Sequence, residues 1–186
     1  MTTTPARVLA ITTNYGVEQD ELVVPVQHLR DVGAQVDIAA VESGDIETLV
    51  GDRDPGRTVP ATHALADVST DDYDLLLIPG GTINADSLRL EALAIQAVRD
   101  FASSGRTVAA ICHGPWLVVE AEVVEGKTLT SYPSVATDIR NAGGTWVDEE
   151  VFSCGANGWT LVTSRTPKDL PAFLKGIDEA LASAAS

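Results

Sequence analysis

Short, nearly unbroken apolar runs alternate along this chain with longer segments in which apolar residues recur every three or four positions. The runs at 7–13, 36–40, 74–78, 107–111 and 159–163 predict buried strands. Residues 74–78 (DLLLI) carry no polar interruption after the aspartate, the signature of a parallel sheet covered on both faces. Helical periodicity predicts helices over 20–32, 91–104, 115–121, 134–142 and 168–184. In the first of these Leu22, Val26 and Leu29 form the inward stripe, and Gly33 stands where a left-handed C-terminal cap is wanted.

Strands and helices in strict alternation imply right-handed βαβ units, so the expected fold is a single-domain α/β three-layer sandwich spanning 1–186. Its sheet is expected to be mostly parallel and flavodoxin-like, with ligand chemistry at the carboxyl ends of the strands. Residues 42–69 break the rhythm. They hold Gly44, Gly51, Pro55, Gly56 and Pro60 without a sustained period, which predicts a surface excursion with at most a short hairpin. Residues 1–6 and 182–186 are expected to fray.

The junction at the end of the 107–111 run changes the picture from fold to chemistry. An apolar strand leads directly into Cys112, His113, Gly114 and Pro115, after which a helix resumes. Proline favours the first helical position and glycine permits an abrupt turn, so Cys112 is predicted to stand on a nucleophile elbow. The start of the following helix would favour its thiolate. Cys154, in a turn-rich stretch with no basic neighbour, reads as a small buried hydrophobe. The chain has three histidines, His28, His63 and His113, and none follows residue 113. That excludes a glutaminase triad with a downstream histidine and leaves His113 as the expected partner of Cys112.

Two further segments fall at the same end of the sheet. Gly80 and Gly81 follow the 74–78 run and would let backbone N–H groups approach a ligand, as an oxyanion hole requires. Asp86, five residues on, could reach a histidine of the same or a neighbouring chain. Glu18 lies in the first strand-to-helix link, where a buried carboxyl group beside the thiol would have a raised pKa and could donate to a thiolate. Glu21, inside the helix start, reads as serving the helix dipole.

Composition narrows the partners. The net charge is −15 and the pI about 4.3, which argues against nucleic-acid binding and against an anionic membrane surface. The N-terminus carries no signal-like segment and no window approaches the roughly 18 apolar residues of a membrane span, so the expected compartment is cytoplasmic. Two cysteines fit neither a disulfide framework nor a metal-ligand spacing, and no metal or organic cofactor is implied.

The motifs Glu18-x-x-Glu21-x-x-x-Pro25, Ile78-Pro-Gly-Gly81, Ala110-Ile-Cys-His-Gly-Pro115 and Leu129-Thr-Ser-Tyr-Pro133 together resemble the PfpI/ThiJ superfamily over almost the whole chain. The resemblance implies Cys112 as nucleophile, Glu18 as the carboxyl group bonded to it, His113 as the adjacent base and the N–H groups of Gly81 and His113 as oxyanion donors. It also implies association as dimers or hexamers, in which an acidic residue at a position matching Asp86 completes the triad from a neighbouring subunit. The expected activity is cysteine-dependent chemistry on reactive carbonyls, glyoxal, methylglyoxal or their early adducts on proteins and nucleotides. Intracellular peptide hydrolysis on unfolded protein is the alternative, and a non-catalytic redox sensor or holding chaperone a second.

Overall fold

The computed structural model describes residues 5–184. Among them the strands run, in chain order, β1 (Arg7–Thr12), β2 (Tyr15–Glu18), β3 (Gln35–Ala40), β4 (Asp45–Val50), β5 (Asp54–Pro60), β6 (His63–Ala64), β7 (Leu75–Ile78), β8 (Thr107–Ile111), β9 (Thr128–Leu129), β10 (Thr145–Trp146), β11 (Val151–Cys154) and β12 (Leu161–Ser164). The helices are α1 (Gln19–Asp31), α2 (Thr82–Leu88), α3 (Ala92–Ser103), α4 (Pro115–Glu120), α5 (Ala136–Asn141) and α6 (Leu170–Ala184).

The central sheet has the order β11-β12-β8-β7-β1-β3-β6. Its pairings are parallel except at the edge, where β11 runs antiparallel to β12. Period-two alternation divides each central strand between two cores. Leu76 and Ile78 of β7, with Leu9 and Ile11 of β1, pack on one face with Phe101 of α3 and Leu117 of α4. Leu75, Leu77, Val8 and Ala10 pack on the other with Leu22, Val26 and Leu29 of α1 and Phe173 and Ile177 of α6. All four residues of β7 are fully buried, and each such leucine stabilises the fold by roughly 1.5–3 kcal/mol. The α/β layering expected from the sequence is the one observed.

Where the structure departs from expectation, the cause is local. Residues 42–69 do not form a loose excursion. Alternation in β4 (exposed Asp45, Glu47 and Val50 against buried Ile46 and Thr48) drives a long hairpin with β5, and β2 joins it as a three-stranded sheet. The helix α1 closes as expected: Gly33 adopts φ +95°, with its N–H to the Arg30 carbonyl and the Ala34 N–H to that of Leu29. Of the residues expected to fray, 182–184 continue α6, and 1–4, 185 and 186 lie outside the described residues. Among the described residues no helix is long and apolar enough to cross a membrane.

Candidate active site

The strand β8 delivers Cys112 at the carboxyl edge of the sheet, between the end of β7 and the start of α4. Cys112 itself holds the left-handed conformation, φ +63°, while Gly114 is right-handed at φ −50°. The sequence assigned the abrupt turn to the glycine, yet the strained residue is the cysteine. A non-glycine residue in that region stores roughly 1–3 kcal/mol and is held there by its surroundings. Its N–H donates to the Ser164 carbonyl at 2.9 Å and its carbonyl accepts from the Tyr132 N–H at 2.8 Å. Gly114 is required for space: a Cβ there would stand 2.6 Å from the Ile78 carbonyl oxygen and 2.9 Å from that of Ile111.

The thiol meets an imidazole. Cys112 Sγ lies 3.2 Å from His113 Nδ1, with only 5% of Cys112 and 4% of His113 exposed. His113 is held between aromatic rings, stacked on Tyr132 at 4.5 Å and tilted against Trp116 at 5.2 Å. Its other nitrogen, Nε2, faces two hydroxyls, Ser134 Oγ at 3.3 Å and Thr82 Oγ1 at 3.4 Å.

The carboxyl group at the thiol is that of Glu21, not of Glu18. Glu18 ends β2, and that strand's pairing with β4 sends its side chain to the β4–β5 turn, where it accepts the N–H groups of Gly51 at 2.9 Å and Asp52 at 3.0 Å. Three residues later, α1 turns Glu21 onto the stripe it shares with Leu22 and Pro25, and the side chain is fully buried beside Cys112. Its Oε2 accepts the Gly80 N–H at 2.8 Å. Gly80 is therefore a donor to Glu21 rather than to an oxyanion. A Cβ at Gly80 would stand 2.4 Å from Glu21 Oε2 and 2.8 Å from Cys112 Cβ. Gly80→Ala is expected to cost roughly 1–3 kcal/mol in a urea titration and to suppress activity by parting these groups. An active, equally stable variant would show that the close approach is dispensable.

Electrostatics set the resting state. Burial pushes the Glu21 carboxyl well above the usual carboxylate range, and the charges of Glu18 and Asp52 add to it, against hydrogen bonds from Cys112 and Gly80. Burial likewise pushes the Cys112 thiol up, and the adjacent Glu21 pushes it further, while the backbone N–H of His113 works the other way. Desolvation thus works against the thiolate that the start of the six-residue α4 was expected to favour. Burial lowers the pKa of His113, opposed by Asp52, so the ring is neutral at pH 7 and able to accept a proton.

Gly81 has φ +86° and packs so tightly that a Cβ would lie 2.4 Å from the Gly16 carbonyl oxygen. Asp86 is exposed on α2. Asp52, Thr82 and Ser134, which surround His113, escaped the sequence reading. Among the described residues no group of three or more His, Cys, Asp or Glu side chains could hold a metal ion.

Residues 6–180, nearly the whole chain, match the DJ-1/PfpI family. The chain belongs to the DJ-1/PfpI family. Within it, general stress protein 18 of Bacillus subtilis is 36% identical over 165 residues, 89% of this chain and 92% of that protein. A deglycase of Pyrococcus horikoshii is 37% identical over 169 residues, 91% of this chain and 95% of that protein. Among solved structures, Drosophila melanogaster DJ-1β superposes with a TM-score of 0.83 at 27% identity, covering 98% of this chain and 94% of that one. Names within the family thus attach enzyme activity to this architecture.

Proposed function

We propose that this DJ-1/PfpI chain is a cysteine-dependent enzyme acting on small reactive carbonyls, 2-oxoaldehydes or their early adducts. The observation that carries the reading is the Cys112 Sγ to His113 Nδ1 contact of 3.2 Å on a strained elbow, with a buried carboxyl group behind it. Sγ bonds to the aldehyde carbon as the thiol proton passes to Nδ1, and the carbonyl oxygen takes up that proton to give a hemithioacetal. Transfer of the aldehyde hydrogen to the neighbouring carbonyl leaves a thioester, which one water cleaves to a 2-hydroxy acid and the regenerated thiol. The N–H groups of Gly81 and His113 serve the developing oxyanion. A near-buried thiol and imidazole suit a compact electrophile rather than an extended chain, which supports carbonyl chemistry over peptide hydrolysis.

The test is a parallel assay of the purified protein on methylglyoxal, on a methylglyoxal-treated thiol and on unfolded casein. Conversion of the first two without casein cleavage is the expected result. Casein cleavage with inert methylglyoxal would replace this reading by that of a peptidase.

A further inference from the structure

Asp86 is exposed on α2, whereas a different aspartate stands behind the imidazole within the same chain. Asp52 Oδ1 accepts the Thr82 backbone N–H at 2.7 Å, and its Oδ2 accepts the Thr82 hydroxyl at 2.8 Å. That hydroxyl in turn lies 3.4 Å from His113 Nε2.

We infer that Asp52, acting through the Thr82 hydroxyl, is the intrachain positioning residue that places the hydrogen of His113 on Nε2 and leaves Nδ1 bare toward the thiol. The inference rests on the Cys112–His113 reading above and assigns its tautomer. A threonine hydroxyl has one hydrogen, and a carboxylate accepts only. Asp52 Oδ2 takes that hydrogen, so toward Nε2 the Thr82 oxygen offers a lone pair. Nε2 must then be the donor. A neutral imidazole carries one N–H, so Nδ1, 3.2 Å from Sγ, is the free base. Ser134 Oγ rotates to suit either arrangement and does not decide it. A length of 3.4 Å is common for catalytic hydrogen bonds before substrate is bound.

The placement of Asp52 is itself built. It holds φ +59°, a conformation uncommon outside glycine, and its N–H and that of Gly51 are both taken by the buried Glu18 carboxylate. Glu18 therefore fixes the turn, the turn aims Asp52, and Asp52 orders Thr82. The β4–β5 hairpin thus brings an acid to His113 from within its own chain.

The test reads the tautomer directly, by ¹⁵N–¹H correlation of the ring nitrogens in protein labelled at histidine. The chain has three histidines, and His113→Gln assigns the signal. His113 in the wild type is expected in the Nε2–H form. Thr82→Val, which keeps the shape and loses the hydroxyl, is expected to shift it to a mixture or to Nδ1–H. In Asp52→Asn the amide donates to Thr82, whose hydrogen then turns to Nε2, and the same shift follows. In both, kcat for methylglyoxal falls on the order of 10²-fold with KM little changed. Thr82→Ser is expected to keep the wild-type tautomer. Should Asp52→Asn lose its turn and unfold, Thr82→Val carries the test. A wild-type tautomer in Thr82→Val, or a shift produced by Asp86→Asn instead, would overturn the inference. Because the spectrum needs no turnover, an inactive protein with the Nε2–H form would sink the proposed function and leave this assignment standing.

Discussion

Cys112→Ala is expected to lower kcat/KM for methylglyoxal by at least about 10³-fold, the scale on which removal of a covalent nucleophile acts. The substitution deletes the atom that bonds to the carbonyl carbon in the proposed mechanism, leaving His113 Nδ1 facing the vacated position and Glu21 buried beside it. Stability should change little. Alanine keeps the Cβ and hence the left-handed strain at φ +63°, and the backbone bonds to Ser164 and Tyr132 do not involve the side chain. A melting temperature within about 4 °C of the wild type is expected, which separates lost chemistry from lost fold. Intact mass after exposure to methylglyoxal provides the second readout, since an adduct at this position disappears with the thiol. Full turnover by the alanine variant would remove Cys112 from the mechanism altogether.

The elbow that carries Cys112 was legible because its signal is local. A strand that needs no partner residue to identify it, an abrupt junction, and His, Gly and Pro in succession are all contained within ten positions. The sheet was legible for a related reason: runs such as 74–78 are buried on both faces, so continuous apolarity is itself the pattern. The choice between Glu18 and Glu21 was of another kind. It depends on where α1 begins and which way it is rotated, and helix starts are the least certain part of any reading from pattern. The clue was present, since Glu21 and Pro25 are four residues apart and flank the Leu22–Val26 stripe, which places a carboxylate on the buried face of an amphipathic helix. Asp52 left no such clue. Its role comes from a turn in a hairpin that meets α2 only in three dimensions, thirty residues away along the chain. The hairpin itself was hidden by Gly51, Pro55, Gly56 and Pro60, residues that punctuate a loop and a twisted two-stranded ribbon alike.

Glu21→Gln carries the second large expectation, and it acts on stability and rate with opposite sign. Glu21 is fully buried, its Oε2 bound by the Gly80 N–H, and its Oε1 has no hydrogen-bond partner among the described residues. Burial raises its pKa well above 4.5, so the folded protein holds a proton there at pH values where the unfolded chain has released it. The native state then binds more protons than the unfolded state, and stability falls as pH rises from about 4.5 through the folded pKa, by about 1.4 kcal/mol for each unit that the two values differ. Glutamine keeps an acceptor for the Gly80 N–H, but carries no titrating proton. Urea titrations between pH 5 and pH 9 should therefore show Glu21→Gln gaining on the wild type as pH rises, with the two closest at the acid end. Activity should move the other way, falling about 10²- to 10³-fold in kcat, because an amide can neither take up nor return a proton while the aldehyde hydrogen moves to the neighbouring carbonyl. Parallel stability profiles would mean that Glu21 is ionised in the folded protein. Undiminished turnover would confine it to holding Gly80 against Cys112, with proton movement left to His113 alone.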